Sequence, residues 1–104
     1  MSRKYQNALP RKWLGLARVL SALGDEQRQR ILLMFERDEE LTIKDIFDSC
    51  PLSRTAVSHH ISVLREAGVL SAEKRGKEVF LRPAPHAVLD ALAKLRDYIE
   101  AELQ

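Results

Sequence analysis

The sequence predicts a mainly α-helical fold of about five helices with one small β-hairpin. A run without proline or glycine begins after Ser53, a good helix cap, and ends near Gly68, which suits a left-handed C-terminal cap. Apolar residues then resume on both sides of a turn at Gly76, and Pro83 ends the second strand. A helix pair followed at once by a short hairpin is the arrangement of a winged helix-turn-helix domain, which we assign to residues 10–104.

Length and composition indicate one folded domain. The chain has 104 residues, of which 45% are hydrophobic and 31% are charged. It shows no apolar run long enough to span a membrane and no secretory signal, so we expect no membrane partner and a cytoplasmic, nucleoid-associated protein. Its one cysteine, Cys50, is expected to be a small residue at a helix end, with an intermolecular disulfide as the alternative.

The net charge is only +2, but the charges are unevenly distributed. Residues 1–24 contain five basic and no acidic side chains, and residues 25–50 contain four basic and eight acidic ones. Residues 51–82 are basic again, with six cations and three anions. A protein that binds a polyanion needs local positive charge of this kind.

The first helix follows a basic arm. We expect residues 1–9 to be flexible and Pro10 to take the first helical position, where its missing N–H does no harm. The helix should run to about Leu23, and its apolar face is predicted to contain Trp13, Leu16, Leu20 and Leu23.

The second and third helices are marked by their caps. Asp25 caps the second helix, from which Ile31, Leu32 and Phe35 are expected to point inward. After the acidic loop 36–40, Thr42 and Asp45 form a capping box for a third helix that ends before Pro51. The short connection to the next helix predicts a helix-turn-helix over residues 42–67.

The fourth helix has two contrasting faces. Val57, Ile61 and Leu64 recur at helical spacing and form a buried stripe. The opposite face carries short side chains that can hydrogen-bond: Thr55, Ser58, His59 and Ser62. Such a face can approach the base edges of a DNA major groove closely. The alternative is an ordinary solvated face, although such faces more often carry Glu and Lys.

Three cations crowd the tip of the hairpin, residues 69–82: Lys74, Arg75 and Lys77. Like charges on a short turn repel one another unless a polyanion neutralises them, and a cation that pairs with phosphate releases counterions. For the hairpin alone, a solubilising charged tip is the alternative. Combined with the polar face of the fourth helix, the basic hairpin predicts contact with double-stranded DNA.

Pro85 opens a last helix, residues 85–103, whose apolar residues recur every three or four positions. A chain this short cannot bury that stripe and the first helix in its own core, which predicts a two-fold homodimer. The expected interface residues are Trp13, Leu16, Leu20, Leu92, Leu95 and Ile99. Two copies would place their fourth helices about 34 Å apart on a palindromic site. The alternative is that both helices only close the core of one chain.

Three strings carry a family resemblance: ALGDEQRQRILLMF, LSRTAVSHHISVLREAGVL and KRGKEVFLRP. Through them, residues 20–103 resemble the ArsR/SmtB family of bacterial winged-helix repressors. The resemblance implies a homodimeric repressor that occludes promoters and is released by an inducer, often a metal ion. By position it also implies DNA contacts from Ser53, Arg54, Thr55, Ser58, His59, Ser62, Arg75 and Lys77.

The chain departs from the metal-responsive members of that family. Those members often carry Glu-Leu-Cys-x-Cys-Asp, whereas residues 40–45 here read Glu-Leu-Thr-Ile-Lys-Asp. Others hold zinc with residues of the last helix. The matching positions are occupied by side chains that cannot ligate: Pro85, Ala87, Tyr98 and Ala101. We therefore expect no metal site and no cofactor.

The sequence thus predicts a sequence-specific, DNA-binding transcriptional regulator, and the resemblance implies that it is a repressor. An enzyme is not expected, since the chain shows no nucleophile elbow, glycine-rich phosphate loop or carboxylate pair flanking a histidine. The alternative is a winged-helix protein-interaction module that does not bind DNA. The inducer stays open between an organic molecule, a partner protein and a metal at an unfamiliar site.

Overall fold

A computed structural model describes residues 7–104, so most of the predicted basic arm lies outside the described residues. Between residues 7 and 104 the chain forms five α-helices and three short strands. In chain order they are α1 Leu14–Leu23, α2 Glu26–Leu33, β1 Leu41–Thr42, α3 Ile43–Asp48, α4 Arg54–Glu66, β2 Leu70–Arg75, β3 Glu78–Pro83 and α5 Pro85–Tyr98. The predicted fold class, mainly helical with a hairpin wing, is confirmed.

The first helix starts later than predicted. Pro10 has an extended backbone, and its carbonyl accepts a hydrogen bond from the Trp13 N–H at 2.9 Å, which closes a 3₁₀ turn over Arg11–Trp13. The inward face also differs from the prediction. Val19 and Ala22 are buried beside Leu16, whereas Leu20 is 36% exposed. The sequence placed Leu20 on the apolar face and in the candidate dimer interface, and it did not predict the burial of Val19 and Ala22, whose small side chains fit the close packing of α1 against its neighbours.

The caps that the sequence predicted are present. The Asp25 carboxylate accepts hydrogen bonds from two backbone N–H groups of α2, at 2.8 and 3.1 Å. Thr42 and Asp45 form the complete capping box of α3. The Ser53 hydroxyl accepts the Ala56 N–H at 3.1 Å and begins α4. Because these side chains satisfy the first N–H groups of their helices, they fix where α3 and α4 begin and hence the helix-turn-helix geometry.

The sheet has one strand more than the sequence suggested. Strands β2 and β3 form the predicted hairpin, turning at Gly76 with φ +63°. The short strand β1 pairs antiparallel with β3 through Leu41–Leu81 and Thr42–Phe80, giving the order β1-β3-β2. The register puts Leu41, Ala72 and Leu81 on the face toward the core. The opposite, outer face carries Ser71, Glu73, Arg75, Glu78, Phe80 and Arg82.

One core joins the helices to the base of the sheet. Its buried residues come from all five helices and from the hairpin: Leu16, Val19, Ala22, Ile31, Ile46, Val57, Ile61, Leu64, Val69, Leu70, Leu81 and Ala91. Helix α5 packs on α1, but several of its large apolar side chains stay exposed, namely Leu89, Leu92, Tyr98 and, in the π-helical turn Ile99–Leu103, Ile99 and Leu103. Among the described residues, no helix has the length and apolarity needed to cross a bilayer.

Candidate nucleic-acid interface

The outer polar face of α4 consists of Thr55, Ser58, His59 and Ser62, and all four residues are exposed. The opposite side of the helix is anchored by Val57, Ile61 and Leu64, which are at most 2% exposed. Within residues 7–104, none of the four polar side chains makes a hydrogen bond or ion pair. Their donors and acceptors therefore point outward from a rigid helix and are available to a partner.

Arg54 extends this surface at the first turn of α4. Its guanidinium lies over the Phe47 ring of α3, 4.8 Å from the ring centroid. A cation over an aromatic face is held by the ring quadrupole while its N–H edge stays open. Helix α3 thus positions a cation at the N-terminus of α4, where Ser53 is the cap.

Arg28 connects α4 to the rest of the bundle, and sequence reasoning missed it. Its Nε–H donates to the Ala22 carbonyl at 2.8 Å and its Nη2–H to the Ser21 carbonyl at 3.2 Å, at the end of α1. Its Nη1 lies 3.2 Å from Nδ1 of the half-buried His60. One side chain therefore ties the end of α1 to the back of α4. Arginine in the first turn of a capped helix gives no sequence signal for this role.

The wing differs from the expectation of three repelling cations. Arg75 is paired, because its guanidinium contacts the Glu40 carboxylate at 2.9 Å and the Glu73 carboxylate at 3.1 Å. Arg82 also donates to Glu40. We call Glu40, Glu73, Arg75 and Arg82 the Glu40 cluster. The prediction overlooked that the α2–α3 loop reaches the wing, so no polyanion is needed to neutralise Arg75.

The ionisation of the Glu40 cluster reflects these contacts. Hydrogen bonds from Arg75 and then Arg82 hold the pKa of Glu40 below its ordinary value, against a smaller opposing effect of desolvation. Hydrogen bonds to Glu73 and then Glu40 raise the pKa of Arg75. By contrast, Lys74 and Lys77 at the tip have no carboxylate oxygen within 4.0 Å among the described residues. The cations that the wing presents to a partner are therefore its two lysines.

The six predicted interface residues fall into two groups. Leu20, Leu92 and Ile99 are exposed, between 36% and 50%, and are open to a second chain. Trp13 and Leu95 are half-buried, and the Trp13 ring meets Tyr98 edge-on at 5.2 Å. Leu16 is only 2% exposed, because it packs into the core of its own chain, so we remove it from the candidate interface.

The remaining candidates of the sequence do not form a site. Cys50 is half-buried behind α3 and packs against the core. In the part of the chain that the structure describes, no three His, Cys, Asp or Glu side chains are grouped so that they hold a metal ion.

Residues 25–72 match the family described as "Bacterial regulatory protein, arsR family". Over 89 residues the chain is 35% identical to the HTH-type transcriptional repressor SmtB of Mycobacterium tuberculosis, covering 81% of this chain and 65% of the repressor. It spans only 58–65% of the length of this repressor and of two arsenic-resistance regulators that it also matches.

Two solved structures share the fold. An ArsR-like transcriptional regulator from Rhodococcus sp. RHA1 superimposes with a TM-score of 0.75 at 28% identity, covering 88% of this chain and 84% of that one. The winged helix-turn-helix DNA-binding domain Mb0332 of Mycobacterium bovis, described as homodimeric, gives 0.66 at 24% identity over 95% of both chains. Residues 25–72 are therefore similar to the helix-turn-helix domain of the bacterial arsR family, and the chain has a winged helix-turn-helix fold.

Proposed function

We propose that the protein is a sequence-specific DNA-binding transcriptional repressor that acts as a homodimer on a palindromic site. The observation that carries the proposal is the outer polar face of α4, which is exposed and makes no internal hydrogen bond within residues 7–104. Short neutral side chains on a rigid helix fit the major groove, where base edges present donors and acceptors. The M. tuberculosis relative, named as a repressor, supports the direction of control.

The proposed contacts divide by chemistry. Thr55, Ser58, His59 and Ser62 read base edges, while Ser53 and Arg54 bind at the N-terminus of α4, where the helix dipole favours an anion. Lys77 supplies a phosphate contact from the wing, with salt-dependent affinity. Arg75 was expected to do the same, but its guanidinium is occupied by Glu40 and Glu73 in the free chain.

The homodimer rests on exposed apolar surface. Leu92 is 50% exposed on α5, and Leu20 and Ile99 are 36% and 38% exposed. Apolar side chains in one region mark an interaction surface, and an isologous pair would cover them on both copies. The M. bovis domain, which shares the fold, is described as homodimeric. Two copies of α4 then explain why the expected site is a palindrome.

Mutants of α4 and of the wing test the division of roles. Thr55→Ala combined with Ser58→Ala should reduce affinity for the specific duplex and leave affinity for a scrambled duplex nearly unchanged. Lys77→Ala should weaken binding to both duplexes. It should also reduce the slope of log K, where K is the association constant, against log salt concentration by about 0.9. Gel shifts on a duplex selected from a random pool measure both, with Lys94→Ala on α5 as a control for lost positive charge.

The alternative, a protein-interaction module, makes the opposite prediction for the wild-type chain. A module of that kind has no affinity for any duplex at low salt, so failure of the random-pool selection would refute DNA binding. The family likeness also leads us to propose that an inducer releases the protein from DNA. The protein would act in the cytoplasm, bound to the nucleoid. A screen for compounds that dissociate the selected duplex tests release by an inducer separately.

A further inference from the structure

The Glu40 cluster joins two parts of the chain that are distant in sequence. Glu40 lies immediately before β1, and Arg75 lies at the end of β2, 35 residues later. The pairing of β1 with β3 puts Leu41 opposite the buried Leu81, so by alternation Glu40 lies on the outer side of the sheet, the side of Thr42 and Phe80. The loop between α2 and α3 is thereby fastened to the wing.

Most of the N–H donors of the Arg75 guanidinium are engaged in hydrogen bonds within the chain. Its Nη1 contacts Glu40 Oε2 at 2.9 Å and its Nη2 contacts Glu40 Oε1 at 3.1 Å. Its Nε and Nη2 donate to the two oxygens of Glu73 at 3.2 and 3.1 Å. A guanidinium has five N–H donors, so these four contacts leave little for another anion. The face of the group is also covered, because it lies 4.6 Å from the Phe80 ring centroid.

A carboxylate held in this way occupies the N–H groups with which a phosphate would pair. Carboxylate and phosphate oxygens both accept two parallel N–H groups from one edge of a guanidinium, so the two anions compete. The cluster contains two cations and two anions and is neutral as a whole, whereas Lys74 and Lys77 keep their charge. Glu73, Arg75 and Arg82 are exposed and Glu40 is half-buried at the edge of the sheet, so exchange of one anion for another needs no unfolding.

We propose that Glu40 acts as an internal substitute for a DNA phosphate and determines the wing's affinity. Glu40 keeps the guanidinium groups of Arg75 and Arg82 in ion pairs within the chain. The wild-type wing therefore binds DNA through its lysines alone. This inference rests on the proposed function, because it concerns the same DNA complex. It makes Glu40 a positioning residue that lowers affinity and sets the salt dependence.

The test is the salt dependence of duplex binding by Glu40→Gln. The amide cannot neutralise the arginines, so one more phosphate contact should form. The slope of log K against log salt should steepen by about 0.9, and affinity at 0.1 M salt should rise roughly 3- to 10-fold. Glu36→Gln is the matched control, since Glu36 lies in the same loop and makes no ion pair within residues 7–104. It changes net charge equally and should leave the slope at the wild-type value.

A second substitution identifies the responsible cation. Arg82→Gln alone should leave the slope unchanged, because within residues 7–104 Arg82 is already paired with Glu40, its one carboxylate partner, whereas Arg75 also keeps Glu73. Added to Glu40→Gln, it should remove the gain in slope. An unchanged or shallower slope for Glu40→Gln would overturn the inference while wild-type binding still supports the proposed function. Absence of salt-dependent binding by the wild-type chain would refute both.

Discussion

Thr42 and Ser53 set the start of the two helices that form the helix-turn-helix. Each hydroxyl accepts a backbone N–H three residues later, at 3.0 Å for Thr42 and 3.1 Å for Ser53. Asp45 completes the first cap by accepting the Thr42 N–H at 2.9 Å. These side chains thus fix where α3 and α4 begin, and with that the length of the turn between the two helices.

Loss of the Thr42 hydroxyl should destabilise the fold measurably. Thr42→Ala leaves the Asp45 N–H without its partner, and such cap deletions lower the free energy of unfolding by about 1 kcal/mol. Thr55→Ala makes the same chemical change on the exposed face of α4 and should alter stability by less than about 0.5 kcal/mol. Urea denaturation of both variants measures the difference, and equal midpoints would contradict the assigned cap.

The carboxylates of Asp45 and Glu40 predict a loss of stability in acid. The backbone hydrogen bond from Thr42 holds the pKa of Asp45 below its ordinary 3.8, and hydrogen bonds from arginine hold that of Glu40 below 4.5. Because the folded-state values are the lower ones, the ionised groups stabilise the fold above pH 4.5. That stabilisation is lost as pH falls through the folded-state values.

Melting temperatures from pH 7 to pH 3 test this. The melting temperature of the wild-type protein should decrease once the pH is below about 4.5. The Asp45→Asn variant should have a lower melting temperature at pH 7, but that temperature should decrease less steeply in acid. Identical acid profiles for the two proteins would show that Asp45 does not contribute.

Two glycines of the helices differ in whether the backbone requires glycine. Gly68 ends α4 with φ +79°, and a Cβ there would meet only the Ala87 Cβ, at an ordinary 3.6 Å. Gly15 lies in the first turn of α1, where a Cβ would have open space beyond the backbone of its own helix. An L-residue substituted for Gly68 would therefore be strained by its backbone conformation rather than by a steric clash. Gly15, by contrast, occupies a helical position that alanine suits better.

We expect Gly68→Ala to lower the free energy of unfolding by roughly 1 kcal/mol, because an L-residue in the left-handed region is strained. Gly15→Ala should instead raise it by about 0.5 kcal/mol, since alanine loses less entropy in a helix. Chemical denaturation of both variants compares them directly. Stabilisation by both would show that the left-handed turn at Gly68 relaxes.

The sequence predicted the elements whose signals are local. The caps at Asp25, Thr42 and Ser53, together with the turns at Gly68 and Gly76, need only a few neighbouring residues, and all appear where expected. The exposed polar face of α4 follows from helical spacing in the same way.

The features that were missed depend on distant parts of the chain. Strand β1 has two residues, and only its pairing with β3, some forty residues later, makes it a strand. The Glu40 cluster depends on that pairing, so an acidic loop and a basic wing were treated as separate features. The burial of Val19 and Ala22 was also missed, since it depends on how α1 packs against the other helices.

The part of the molecule that the structure describes, residues 7–104, is elongated. Its Cα radius of gyration is 16.2 Å and its longest extent is 54 Å, whereas a compact chain of this length has a radius of about 13 Å. The exposed apolar side chains of α5 and the turn after it are consistent with a surface that a second copy completes. Two elongated chains joined in this way would separate their α4 helices along a duplex.

Leu92→Glu should therefore yield monomers. A charge in the middle of a buried apolar interface lacks a partner, and its desolvation opposes association. Sedimentation velocity should show the chain mass alone, and affinity for a palindromic duplex should fall at least roughly tenfold when one half-site is lost. Lys94→Gln, an exposed change of equal charge on the same helix, should remain dimeric. A dimeric Leu92→Glu protein would place the interface elsewhere.

The edge-on contact between Trp13 and Tyr98 links the segment that leads into α1 to the end of α5. Trp13 is the sole indole of the polypeptide. Its fluorescence consequently reports on a single junction, the one between the 3₁₀ turn Arg11–Trp13 and the end of α5. Emission spectra recorded during dilution or titration with a duplex thus follow that junction without any attached dye.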